Sequence, residues 1–275
     1  MRTLDVDEKY RHMVAGDPVA RLEVFQFPYN SDNYGVLLHC PDSGDTACID
    51  AGDAAPSEAA LAQMGWSLTH LFITHHHADH TAGLTALKAA HNAHVIGPPP
   101  RSAAISGIDT ALWDGDSFDF AKRQVRVIAT PGHTTDMINF YLPDEKIVFT
   151  GDTLFALGCG RVFEGTFDMM WNSLEKLLAL PDDTTIYCSH EYTKANAEFA
   201  ITVDPENDAL IKRHADIIEQ RAKNIATVPT TMAVEKATNP FLRPHDPSIR
   251  AHLGMTGDAS NAEIFAEIRR RKDTF

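Results

Sequence analysis

The hydrophobic pattern divides the chain into two parts. Between Leu22 and Cys188 short apolar or alternating runs recur, and each reads as a strand: Leu22–Phe27, Tyr34–His39, Ala47–Asp50, Leu68–Thr74, Ala93–Gly97, Gln124–Ala129, Met137–Leu142, Lys146–Thr150 and Thr185–Cys188. Two stretches between them, Ala82–His91 and Asp168–Leu180, have helical spacing instead. In the second, Trp171, Leu174, Leu177 and Leu178 recur on one face, with Asp168 as the expected cap. Strands interspersed with helices, without internal repeats, predict a layered α/β domain.

After His190 the strand-like runs stop. Tyr192–Ala226 predicts almost continuous helix, in which Asp204-Pro205 supplies an N-cap and a first-turn proline, and Leu210, Ile211, Ile217, Ile218 and Ile225 lie along one stripe. Ser260-Asn-Ala-Glu263 has the form of a capping box. It opens a last helix that turns Ile264, Phe265 and Ile268 inward and runs into Arg269-Arg-Arg-Lys272. The expected organisation is an α/β domain over residues 1–190 and a small helical domain over 191–275.

Composition narrows the function classes. Lys and Arg number 24 against 38 Asp and Glu, a net charge of -14, which repels phosphate backbones and anionic lipid. Neither nucleic acid nor membrane is therefore an expected partner, and no apolar run approaches the roughly 18 residues that span a bilayer. Met1–Tyr10 has no apolar core and carries early acidic residues, so it reads as neither a signal nor a transit peptide. Cys40, Cys48, Cys159 and Cys188 form no CxxC pair. A reducing, cytoplasmic setting follows as the expectation.

Histidine is the informative residue. The strand ending at Thr74 runs into His75-His-His-Ala-Asp-His80, where His75 and His77 leave one face of an extended segment and Asp79 and His80 follow. Thr130-Pro-Gly-His133-Thr134, Phe149-Thr-Gly-Asp152-Thr153 and Tyr187-Cys-Ser-His190 each place one more His or Asp just after a strand. In open α/β sheets ligands gather beyond these carboxyl ends. Singly, a turn histidine, a capping aspartate or a core histidine explains each motif. Together, five His and two Asp are hard to explain as structure, because burying such groups in one place is costly without a metal. Seven ligands exceed one tetrahedral ion and suit two ions that share a carboxylate. The remaining histidines, His12, His39, His70, His76, His91, His94, His214, His245 and His252, read as surface or satisfied polar positions.

The T-H-x-H-x-D-H, G-H-T, G-D-T and later His motifs resemble the metallo-β-lactamase superfamily. That resemblance implies an αββα sandwich in which His75, His77 and His133 hold one metal and Asp79, His80 and His190 the second. Asp152 would bridge the two, a hydroxide nucleophile would lie between the ions, and Asp79 and Asp152 would be the catalytic carboxylates. Zinc is the expected ion for such imidazole-rich ligation, with iron or manganese as alternatives. Asp50, in Ile49-Asp-Ala-Gly52, resembles the superfamily's early D-x-G element and would either support the metal loop or simply make a turn.

Further motifs are similar to one branch of that superfamily. Gly158-Cys-Gly-Arg-Val-Phe-Glu-Gly-Thr166, His190-Glu-Tyr-Thr193, Asn239-Pro-Phe-Leu-Arg243 and Arg269-Arg-Arg-Lys-Asp-Thr-Phe275 resemble segments of glyoxalase II, the hydroxyacylglutathione hydrolases, and Ser31-Asp-Asn-Tyr34 also fits. The resemblance implies hydrolysis of S-D-lactoylglutathione and related thioesters to glutathione and the 2-hydroxy acid, the second step of methylglyoxal detoxification. It also implies a monomer and substrate contacts at Arg161, Phe163, Tyr192, Arg269 and Lys272, the last two sharing a helix face from which they could clamp a carboxylate. The chain departs from the family in having Phe163 for a common Tyr, Asp136-Met137 for a common Gly-His, and Ser189 for a common Gly. The alternatives are a single-iron glutathione persulfide dioxygenase, or another binuclear hydrolase acting on a lactone or phosphodiester. Serine-based acyl transfer has no support, since no G-x-S-x-G occurs. Cys159 and Cys188 suggest a redox role only by their proximity to the motifs.

Overall fold

The computed structural model describes residues 12–13, 21–101 and 104–275, so Met1–Tyr10 and the His12 side chain lie outside the described residues. Two sheets form. The first runs in chain order from β1 (His12–Met13) through β2 (Glu23–Tyr29), β3 (Asn33–His39), β4 (Thr46–Ile49), β5 (His70–Phe72) and β6 (His94–Gly97) to β7 (Thr110–Ala111). Its early pairs are antiparallel and β4 to β7 are parallel. The second holds β8 (Ser117–Phe120), β9 (Arg123–Ala129), β10 (Ile138–Leu142) and β11 (Ile147–Gly151) in antiparallel succession. Next to β11 lie β14 (Thr185–Cys188), parallel to it, and then β15 (Thr230–Thr231) as the edge. Between these in sequence, β12 (Leu154–Phe155) and β13 (Gly158–Cys159) make a small hairpin.

Side-chain alternation sorts the apolar residues into three layers. Along β10 and β11, Phe140, Leu142, Ile147 and Phe149 enter the core between the sheets, where they meet Val36, Leu38, Ile49 and Phe72 from the first sheet. Tyr141 and Val148, on the opposite face, pack outward. The outer face of the first sheet is covered by α1 (Ala54–Met64) and α3 (Leu84–His91), through Leu61, Leu84 and Leu87 on Leu37, Leu71 and Val95. The outer face of the second is covered by α4 (Phe167–Leu178) and α9 (Asn261–Asp273), through Trp171, Leu174, Phe265 and Ile268. The result is the expected αββα sandwich.

Four short or medium helices complete this outer layer: α5 (Thr193–Val203), α6 (Asp208–Ala222), α7 (Met232–Thr238) and α8 (Pro247–Leu253). Because β15 comes from the same C-terminal stretch and pairs with β14, that stretch extends the second sheet as well as covering it. The two parts are further stitched by Glu235, which is fully buried. Its carboxylate accepts from the Leu157 amide, the Asn239 amide group, the Thr230 hydroxyl and the Arg213 guanidinium.

Three sequence expectations are corrected here. The cap of α4 is Thr166, whose extended backbone lets its hydroxyl accept from the Met169 amide, while Asp168 lies inside the first turn. The Tyr192–Ala226 stretch is two helices broken at residues 204–207, with Asn207 rather than Asp204 capping the second. Asp204 instead accepts from Arg243 and Asn207. Of the expected stripe, Leu210 and Ile217 are buried, but Ile211 is 45% exposed and Ile225 follows the helix end. Helix α1 was not expected. Its Ala-rich sequence has little amphipathic contrast, and only the Asp53 cap and the left-handed Gly65 stop mark it.

Two stability predictions follow from this packing. Thr166→Ala should lower unfolding free energy by about 1 kcal/mol and Asp168→Ala by only a few tenths, in urea titrations of both. Glu235→Ala should cost about 3–5 kcal/mol in the same assay, because it leaves the half-buried Arg213 charge and the Leu157 amide without their acceptor.

Candidate metal centre and substrate cleft

The strand ends converge as the motifs require. His75 and His77 follow β5, and a four-residue turn of helix, α2 (Ala78–Thr81 in the chain, between α1 and α3), swings Asp79 and His80 back toward them. His133 follows β9, Asp152 follows β11 and His190 follows β14. Among the described residues four groupings result in which ligand atoms lie within 4.8 Å of one another: His75, His77 and His133; His75, His80 and Asp152; Asp79, His80 and His190; and, to one side, His76, His77 and Glu164. The Asp152 carboxylate sits between the first and third sets. Its Oδ2 is 3.4 Å from His133 Nε2 and 3.3 Å from His190 Nε2, and its Oδ1 is 3.5 Å from His80 Nε2.

Nearly every imidazole is held by its far nitrogen. The Nδ1–H of His75 donates to Thr74 Oγ1 at 2.9 Å, and that of His80 to Asp50 Oδ2 at 2.8 Å. The Nδ1–H of His133 donates to the Arg161 carbonyl at 2.8 Å, and that of His190 to Asp32 Oδ1 at 2.9 Å. Each Nε2 lone pair is thereby left facing the centre. His77 is the reverse case, with Nδ1 3.0 Å from His133 Nε2. Inside the cluster His75 Nε2, His80 Nε2 and Asp152 Oδ1 are buried without a hydrogen-bond partner. Orphaned acceptors of this kind cost about 1–3 kcal/mol each, and a divalent cation is the partner that a set of imidazoles and carboxylates fits.

Asp50 supports the ligand loop. Its carboxylate accepts from the Thr74 amide, the Thr74 hydroxyl and His80 Nδ1. Gly52, two residues on, is required by close approach: a Cβ there would lie 1.8 Å from the Asp79 carbonyl oxygen. Gly160 answers the same need at Asp152, whose carbonyl oxygen a Cβ would meet at 1.9 Å. His76 points away from the centre to Asp136 and Glu164, at 2.9 and 3.2 Å. Asp136, one of the departures from the family pattern, is thus a buried partner for the 75–80 loop.

The electrostatics divide the groups. Burial and neighbouring imidazoles push His75 well below its ordinary pKa and lower His77. Burial lowers His133 too, although Asp152 opposes it. For His80 and His190 burial also disfavours charge, but Asp152 and their other carboxylate partners outweigh it and raise both. Burial alone would raise the carboxyls; His80 and His190 instead bring Asp152 down to about 2 and hold Asp79 well below the carboxylate range. Both carboxylates are therefore anionic at neutral pH. Burial pushes the Cys159 and Cys188 thiols up to about 11 and about 12, away from the reactive thiolate.

A cleft of roughly 520 Å³ opens beside the cluster, and all five of Arg161, Phe163, Tyr192, Arg269 and Lys272 line it. Their exposures differ. Phe163 is 60% exposed and leans its ring on His133 at 5.2 Å, with the Arg161 guanidinium over its other side. Tyr192 stacks in parallel on His190 at 4.6 Å. Arg269 is only 3% exposed: Nη1 donates to the Cys159 carbonyl, and Nε and Nη2 donate to Asp273. Lys272 lies between the Phe199 and Phe275 rings and donates to the Ala195 carbonyl. Burial lowers its pKa to about 8, helped by Arg269. Sequence reasoning missed Phe155, Asn196 and Asp273 in this wall; only the i,i+4 spacing of Asp273 from Arg269 signalled any of them.

Comparison with known proteins agrees with this arrangement. Residues 33–190 match the metallo-beta-lactamase superfamily, and residues 191–275 match "Hydroxyacylglutathione hydrolase C-terminus". The chain is 57% identical over 255 residues to the hydroxyacylglutathione hydrolase of Brucella anthropi, covering 93% of this chain and 98% of that relative. The solved structure of ETHE1 from Myxococcus xanthus superposes with a TM-score of 0.62 at 26% identity, covering 91% of this chain and 98% of that one. The BLEG-1 B3 metallo-beta-lactamase superposes with a TM-score of 0.60 at 20% identity, covering 80% and 99%, a likeness of fold alone. Among the described residues no helix is long and apolar enough to cross a membrane. The chain belongs to the hydroxyacylglutathione hydrolase family of the metallo-beta-lactamase superfamily.

Proposed function

We propose that this chain is a metal-dependent thioester hydrolase that converts S-D-lactoylglutathione, and related hydroxyacylglutathiones, to glutathione and the 2-hydroxy acid. The observation that carries the reading is the cleft itself, in which cationic and aromatic side chains from the C-terminal helices face a buried His/Asp cluster. The match of residues 191–275 to a hydroxyacylglutathione hydrolase segment favours this substrate over a persulfide, lactone or phosphodiester. Residues 1–190 would supply the reaction centre and 191–275 half of the substrate wall.

In this reading His75, His77 and His133 would hold one ion, Asp79, His80 and His190 would hold the other, and Asp152 would serve both, with zinc the expected metal. Bound divalent ions supply a water made acidic enough to attack near neutral pH and a Lewis acid for the acyl oxygen. The remaining work belongs to the chain. Anionic Asp79 and Asp152 keep the centre from carrying excess positive charge. Arg161 and Lys272 offer local cations to the glutathione carboxylates on an otherwise acidic protein. Phe163 and Tyr192 would offer aromatic faces to the glutathione moiety from the cleft wall. Phe163 lacks the hydroxyl of the family's common Tyr, a loss of about 1 kcal/mol in binding. The departing thiol, with an ordinary pKa near ~8.5, needs little acid assistance.

Purified protein should hydrolyse S-D-lactoylglutathione with about two metals per chain, and a chelator should abolish turnover. Asp152→Ala should lose activity to background together with metal content; full activity in a metal-free sample would refute the assignment. Lys272 is charged below and neutral above a pKa of about 8, so KM should rise as pH passes that value. In Lys272→Met KM should be several-fold higher at pH 7 and nearly flat over the same range.

A further inference from the structure

The turn between β2 and β3 reaches across to the other sheet. Asp32 Oδ1 accepts from His190 Nδ1, 158 residues away, and the next side chain, Asn33, donates its Nδ2–H to Asp79 Oδ2 at 3.0 Å. The backbones are joined as well. Tyr34 N donates to the Ser189 carbonyl at 2.7 Å, Glu191 N donates to the Asp32 carbonyl at 2.8 Å, and Asn33 and His190 form an isolated antiparallel bridge. Tyr34 Oη donates to Glu191 Oε2 at 2.7 Å, and Tyr29 Oη donates to the Asp79 carbonyl at 2.8 Å. Asn33 is buried, whereas Asp32 is half-exposed.

We infer that Asp32 and Asn33 are positioning residues for the Asp79/His80/His190 grouping, with no direct role at the other one. The inference rests on the reading of these groups as metal ligands. Asp32 fixes His190 as the Nδ1–H tautomer and aims Nε2 at the centre; Asn33 fixes which Asp79 oxygen faces inward, since Oδ2 is also 3.3 Å from His80 Nε2 and 3.5 Å from His190 Nε2. The His75/His77/His133 grouping takes its orientation elsewhere, from Thr74 and the Arg161 carbonyl. Loss of the hairpin contacts should therefore weaken one ion and spare the other. A simple stitch between the sheets would weaken folding and leave both affinities equal.

The test is zinc content and zinc affinity, by chelator competition, in the wild type and in Asp32→Ala, Asp32→Asn, Asn33→Ala and Tyr34→Phe, with melting temperatures alongside. Asp32→Ala and Asn33→Ala should bind one of the two zinc ions ~10–100-fold less tightly than the wild type does, hold the other with wild-type affinity, and lose kcat in step with the missing ion. Asp32→Asn keeps an oxygen acceptor and should recover most of the affinity. Tyr34→Phe breaks the hairpin's bond to Glu191 without touching a ligand partner, and should bind both ions as the wild type does. Wild-type affinity for both ions in Asp32→Ala, or equal weakening of both, would overturn the inference. A wild-type chain that takes up a single ion would remove the two-ion reading and the inference with it.

Discussion

Polar atoms that are buried and have no partner within the protein are the constraint on which this structure turns. His75 Nε2, His80 Nε2 and Asp152 Oδ1 meet in one place, shielded from water. No ordinary fold collects such groups, because each loses its hydration without a replacement. What surrounds them exists to hold them there. The clustered His and Asp come from turns at the ends of β5, β9, β11 and β14, on both sheets, and the glycines at 52 and 160 let backbone pass where a side chain would collide. A shell of further hydrogen bonds, from Asp50, Thr74, Asp32 and the Arg161 carbonyl, fixes the rings.

The same contacts couple the centre to the substrate side. The carbonyl that orients His133 belongs to Arg161, which lines the cleft, and the ring that stacks on His190 belongs to Tyr192, which lines it too. The wall opposite is set by α9, whose Arg269 is spent on the Cys159 carbonyl and on Asp273. Arg269 thus ties the last helix to the β12–β13 hairpin, and the more available positive charge is at Arg161 and Lys272. Glu235 serves the same hairpin from α7, through the amide of Leu157. Besides their apolar packing on the second sheet, the C-terminal helices are thus anchored by buried polar contacts to the hairpin that leads into Arg161.

How much of this was legible in the sequence depended on distance along the chain. The alternation of Phe140, Tyr141 and Leu142 assigns a strand and its two faces by itself, since the period of the backbone is fixed. The Ser260 capping box is likewise local, and it is present as read. Local signals failed where two residues competed for one role. Thr166 and Asp168 are both good caps, as are Asp204 and Asn207, and only the backbone angle and the amide within reach choose between them.

The sequence by itself determined the proximity of the His and Asp residues within each motif, the layered αββα class and the resemblance that names the family, because these follow from spacing and residue type. Tertiary structure alone decided that Asp32 meets His190, that Asn33 meets Asp79, that Asp136 backs His76 and that Arg269 bonds the Cys159 carbonyl in the cleft wall. Those pairs join residues tens to more than a hundred positions apart. No local periodicity encodes such pairings; they form when two sheets close on one core and bring together strand ends that the chain keeps far apart.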